Sequence, residues 1–100
     1  MLNFKQSLQD GKAAFALEGR LDTATAPDLE QAIKAALDSV SELTLDLQKL
    51  DYISSAGLRV LLAAQKAMNS KQGKMELTHV GETIMEIFEV TGFSDILTIV

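Results

Sequence analysis

The stretch Leu43-Thr44-Leu45-Asp46-Leu47-Gln48-Lys49-Leu50-Asp51-Tyr52-Ile53-Ser54-Ser55-Ala56-Gly57-Leu58-Arg59 changes its periodicity within a few residues, and that change decides the fold. Leu43, Leu45 and Leu47 alternate with Thr44, Asp46 and Gln48, the period of two that lays one face of a strand against a core. From Ala56 to about Ser70, Leu58, Leu61, Leu62, Ala64, Ala67 and Met68 recur at helical spacings and cover more than a narrow stripe, which predicts a helix buried on more than one side. Leu50 to Ser54 reads as the connection between them.

Working outward toward the amino terminus, Leu29, Ile33, Ala36, Leu37 and Val40 predict a preceding helix, begun near residue 25 by a capping-box-like Thr25 and Asp28 with Pro27 in the first turn. Gly19 to Ala24 reads as the loop before it. Asp10-Gly11 suits the positive φ of a tight hairpin turn, and it separates two strands, one carrying Leu2, Phe4 and Leu8 on one parity and the other Phe15 and Leu17. Toward the carboxyl terminus, Met75 and Leu77 predict a fourth strand, Ile84, Ile87 and Phe88 a last helix stopped by Gly92, and Ile96 to Val100 a short terminal strand. A hairpin followed by alternating helices and strands implies parallel pairing with right-handed crossovers. The expectation is an α/β fold: one domain over residues 1–100, with a mixed four- to five-stranded sheet and about three helices packed against it.

Composition narrows the chemistry. Fourteen acids against nine bases leave a net charge of −5 in 100 residues, which repels phosphate backbones and anionic lipid and disfavours nucleic-acid or membrane-surface partners. With no cysteine and one histidine, His79, thiolate sites and disulfides are absent, a metal centre is not expected, and the reducing cytoplasm is the expected compartment. His79 shares parity with Met75 and Leu77 and is expected as a half-buried structural residue. No apolar run approaches the ~20 residues that span a bilayer.

Chemistry concentrates at Ser54 and Ser55, where a strand-to-helix connection meets a helix start. Amides of a first helical turn lack intrahelical partners and carry partial positive charge, so a hydroxyl, or a phosphate built on it, is stabilised there. A plain N-cap with Gly57 as a packing residue explains the same residues. Asp22 and Thr23 can shape a contact beside this helix start or act as ordinary turn and cap residues. Arg59, in the first turn and opposed to the dipole, can face a partner's carboxylate, and a neighbouring acid is expected for it. Ile84, Met85, Ile87 and Phe88 read as core before docking face.

Asp51-Tyr52-Ile53-Ser54-Ser55-Ala56-Gly57-Leu58, the Leu45-Asp46-Leu47 strand and Gly19-Arg20-Leu21-Asp22 resemble the STAS domain family over the whole chain, specifically the small anti-sigma-factor antagonists of bacteria. The resemblance implies a non-enzymatic partner switch without cofactor. The unphosphorylated form binds an anti-sigma factor that is also a serine kinase and frees a sigma factor; phosphorylation breaks the complex, and a phosphoserine phosphatase resets it. Mapped here, the modified serine is Ser55, ahead of Ala56-Gly57-Leu58, and the partner-binding residues are Asp22, Thr23, Ser54, Ala56, Gly57, Leu58 and Arg59. Many members carry an acid where this chain has Ser54, which keeps Ser54 as the alternative site. Such antagonists act as monomers when free. The rival readings are a STAS-like scaffold that is never phosphorylated or serves another output, and a small hydrolase with Ser55 as nucleophile, for which His79 is the one available base and the Gly-x-Ser-x-Gly elbow is missing.

Overall fold

The computed structural model describes residues Leu2 to Val100. Strands β1 (Leu2–Gln9) and β2 (Lys12–Leu21) form an antiparallel hairpin paired from Gln9↔Lys12 to Leu2↔Gly19. Asp10 and Gly11 turn it with φ of 52° and 77°, the pair of positive angles that a two-residue turn matched to strand twist requires. Helix α1 (Ala26–Leu37), strand β3 (Glu42–Ile53), helix α2 (Ser55–Ser70), strand β4 (Lys74–Thr78) and helix α3 (Glu82–Thr91) follow. The sheet order is β1-β2-β3-β4, with β2, β3 and β4 mutually parallel. This is the expected α/β architecture.

One face of the sheet is covered and the other is open. Ala13, Phe15 and Leu17 of β2, Leu43, Leu45 and Leu47 of β3, and Met75 and Leu77 of β4 are buried, together with Leu29 and Ile33 of α1, Leu61 and Met68 of α2, and Ile84 and Phe88 of α3. Their alternates Ala14 and Ala16 are exposed, because right-handed crossovers between successive neighbouring strands bring the helices to the same side. At the β1 edge Leu2 and Phe4 are half-buried, with the Phe4 ring centroid 5.9 Å from that of Phe15, but Leu8 is 56% exposed.

Four local expectations are corrected. The second strand continues through Gly19 to Leu21, and the third runs past Leu47 to Ile53. Between Ala16↔Asp46 and Leu21↔Ile53 the pairing shifts twice, and β2 advances five residues while β3 advances seven. Each extra residue breaks the alternation, which is why Gln48-Lys49 and Asp51-Tyr52 are exposed in adjacent pairs while Leu50 and Ile53 are buried. Residues 96–100 contribute a single parallel bridge, Leu77↔Ile99, with Leu77 N–H donating to the Thr98 carbonyl at 2.9 Å and Val100 N–H to the Leu77 carbonyl at 3.0 Å. His79 lies just beyond β4 with φ 54° and an exposed side chain, its Nδ1 3.2 Å from Asp46 Oδ1. A residue that has left the strand no longer follows its parity.

Gln65, the buried polar residue of α2, donates to Asn69 Oδ1 at 3.1 Å and accepts from Thr98 N–H at 3.3 Å. Lys71 Nζ donates to the carbonyl of Leu37, the last residue of α1, where the dipole favours a cation, and to that of Val40 in the connection to β3. In α3, Ile84 and Phe88 are buried and Met85 and Ile87 partly so; this is core packing. Gly92 ends that helix at φ 82°. Truncating Phe88, which is fully buried, should cost about 3–5 kcal/mol, read as a lowered urea midpoint in Phe88→Ala.

Candidate functional site

The site lies at the carboxyl ends of β2 and β3, where two loops meet. Ser54 N–H donates to the Leu21 carbonyl at 2.9 Å, fastening the start of α2 to the end of β2. Ser54 is extended (φ −96°, ψ 176°) and its Oγ accepts from Gly57 N–H at 3.4 Å, while its carbonyl accepts from Leu58 N–H at 2.9 Å. It is the N-cap, as its residue type favours. Ser55 is therefore the first helical residue, and it is exposed. The two adjacent serines have different surroundings: one hydroxyl is used by the fold and the other faces solvent.

Gly57 explains the closeness of helix and sheet. A Cβ built on it would stand 2.7 Å from Leu21 Cγ, 2.8 Å from Ile53 Cγ1 and 3.0 Å from the Leu21 carbonyl oxygen. Both Gly57 and Leu58 are buried, so these two residues of the expected partner surface set the position of the helix and present no side chain to solvent. Ala56 is half-buried, and Thr23 and Arg59 are exposed. The acid expected beside Arg59 is not found: among the described residues Arg59 makes no ion pair, and the first turn of α2 holds no acid. The fold resolves this by leaving the guanidinium in water, where the dipole opposes it little.

The β2–α1 loop is ordered by Asp22. Its Oδ1 accepts from the backbone N–H groups of Ala24 at 3.0 Å and Thr25 at 3.1 Å, and its carbonyl accepts from Ala26 N–H at 2.8 Å. Thr25 is at the N-cap position of α1 without capping it. Its hydroxyl accepts from Asp22 N–H and donates to the Arg20 carbonyl, each at 2.9 Å, so the expected capping box with Asp28 is replaced by an Asp22-centred turn. The hydrogen bond from the Thr25 backbone, opposed by partial burial and helped by the Thr25 hydroxyl and the Ala24 N–H, holds the Asp22 carboxyl below its ordinary range. The other oxygen, Oδ2, is 3.8 Å from Arg20 Nε. Arg20 pairs in register with Tyr52 and lies 4.3 Å from the centre of its ring. Arg20 and Tyr52 belong to this end of the molecule, and although both lie in segments that carry the resemblance, their pairing had no signal in the sequence, because the bulges that bring them opposite each other interrupt the pattern.

Three concavities of the surface lie on the open sheet face, among them one of ≈ 400 Å³ lined by Lys5, Ala16, Glu18 and Asp46. None of the three is lined by Asp22, Ser54, Ser55 or Arg59. His79 stands level with Asp46, whereas Ser55 follows Ile53; at ~3.3 Å per strand residue they are on the order of 20 Å apart, which removes the base that a hydrolase would need. No group of three or more His, Asp or Glu among the described residues is placed to hold a metal ion, and no helix there is long and apolar enough to cross a membrane.

The exposed Ser55 at the helix start thus lies outside these concavities. Known proteins show the same arrangement of chain. The family model described as "Mlab, STAS domain" matches residues 4–99. BtrV of Bordetella bronchiseptica, provisionally named an anti-sigma factor antagonist, is 38% identical over 91 residues, covering 90% of this chain and 78% of that protein. An anti-sigma-B factor antagonist of Staphylococcus aureus is 28% identical over 97 residues, covering 96% and 90%. The crystal structure of an anti-sigma factor antagonist from Mycobacterium paratuberculosis superposes with a TM-score of 0.88 at 27% identity, covering 99% of this chain and 85% of that one. The chain belongs to the STAS domain family, among its anti-sigma factor antagonists.

Two outcomes check this geometry. Gly57→Ala should destabilise the protein by about 1–3 kcal/mol in spite of alanine's higher helix propensity, because the added methyl must move Leu21 and Ile53; urea denaturation reads it. The lowered folded-state pKa of Asp22 contributes stability above the ordinary carboxylate value of ~3.9, and that contribution is lost as pH falls through the folded value. The denaturation midpoint of Asp22→Asn should therefore lie below that of the natural protein at neutral pH and approach it in acid.

Proposed function

We propose that the chain is the phosphorylation-controlled element of a partner switch. Unphosphorylated, it binds an anti-sigma factor that is also a serine kinase, so that a sigma factor is released. Modified at Ser55, it leaves that complex. The observation that carries this reading is the division of labour between the serines, with Ser54 Oγ engaged as the N-cap and Ser55 exposed at the first helical position. Ser55 Oγ attacks the γ-phosphorus of ATP held by the kinase. The new O–P bond forms as the bond to the β–γ bridging oxygen breaks, ADP leaves with that electron pair, and the hydroxyl proton passes to a base of the kinase. A phosphoserine phosphatase returns the hydroxyl by hydrolysis.

Phosphorylation adds roughly −1.5 to −2 charges. The unpaired amides of the first helical turn stabilise that charge in water, so the fold tolerates it. In a complex the same group would be desolvated beside Asp22, which stays ionised at neutral pH, and both effects oppose binding. Asp22, Thr23, Ser54, Ala56 and Arg59 form the contact surface in this reading, and Gly57 and Leu58 hold its helix in place. Residues 1–100 act as one module in the cytoplasm, monomeric when free, catalysing nothing and using no cofactor.

Incubation with an anti-sigma serine kinase and ATP should add one phosphoryl group to Ser55, located by mass spectrometry and abolished in Ser55→Ala. Ser55→Asp should bind that kinase at least about tenfold more weakly than Ser55→Ala, or ~1.4 kcal/mol. Equal binding of the two variants would refute the switch. A chain that stays unmodified and forms no complex in ADP is a scaffold instead.

A further inference from the structure

Resting on the reading that Ser55 is the modified residue, we infer that Arg59 is an intramolecular clamp for the phosphate, so that modification also withdraws this cation from the partner. Ser55 and Arg59 are both exposed and stand four residues apart in α2. That spacing brings them to one face of the helix with Cβ atoms about 5–6 Å apart, within reach of a long guanidinium fork. Arg59 has no ion pair among the described residues, and the first turn around it carries no acid. The other arginine at this end is committed: Arg20 stacks 4.3 Å from the Tyr52 ring centre and faces Asp22 Oδ2 at 3.8 Å. Arg59 is thus the cation free to turn toward a new anion one helical turn away.

A guanidinium offers paired N–H donors that match the oxygens of a phosphate, which an ammonium does not. Before modification the same donors are open to a carboxylate of the partner. After it, an intramolecular anion competes for them at a far higher effective concentration than any partner group. Phosphorylation then subtracts an attraction as well as adding a repulsion.

The test uses the 100-residue chain with phosphoserine installed at position 55 by genetic-code expansion, followed by 31P NMR titration. A cation beside the phosphate favours its dianion and lowers its second pKa, ordinarily ~6. At the strength of an exposed pair, Arg59→Ala should raise that pKa by about 0.15–0.7, Arg59→Lys should fall between, and Lys66→Ala, on the same helix but remote, should leave it unchanged. Alanine is a good helix former at an exposed position, and circular dichroism confirms that the variant is folded. Coincident titrations of the natural chain and Arg59→Ala would overturn the clamp, as would a shift produced by Arg20→Ala in its place. Because the phosphate is installed without a kinase, a kinase that ignores Ser55 refutes the switch alone and leaves this result standing.

Discussion

The close approach of α2 to the end of β2 is the constraint on which the rest of the site depends. A glycine at position 57 lets the helix settle against Leu21 and Ile53 where any side chain would collide, and the Ser54 N–H to Leu21 carbonyl bond locks the same junction from the backbone. Those two contacts determine where the helix starts, and hence which serine caps it and which faces water. They also bring the Asp22 turn beside the helix start. The expected partner-surface residues Gly57 and Leu58 serve the site through this packing.

Charge at this end of the molecule is arranged in layers. Asp22 is tied down by the Thr25 backbone and hydroxyl and by Ala24, and Arg20 is held by Asp22 and Tyr52, so both are fixed features. Arg59 is not. A surface that combines a fixed anion, a fixed cation and one unpaired cation beside a hydroxyl responds to a local change of charge more than to the net −5 of the chain, because exposed charges more than ~10 Å apart are largely screened.

The fold was legible wherever periodicity was unbroken. The Asp10-Gly11 turn, the 43–47 ladder, α2 from its apolar spread and the Gly92 stop all stand as the residues implied. Legibility failed where the pattern was interrupted for a physical reason. The upper half of β3 was hidden because two extra residues shift its parity, and the Arg20–Tyr52 pair was hidden with it. Thr25 looked like a cap by type, but Asp22 reached the open amides first. The serines could be located from the motif, yet their separate tasks could not, since both residue types suit a helix start and only backbone geometry assigns the cap.

The paired bulges also bear on how this chain can change length. Each shift inverts which side chains face the core, and the second restores what the first reversed, so Ile53 is buried like Leu47. A lone insertion or deletion between Asp46 and Ile53 would turn Ile53 outward and swing the helix start away from Leu21. Two compensating changes would keep Ile53 facing the core. Among descendants of such a domain, length variation in this strand would be quantised in twos, while the exposed loops elsewhere are free to drift one residue at a time.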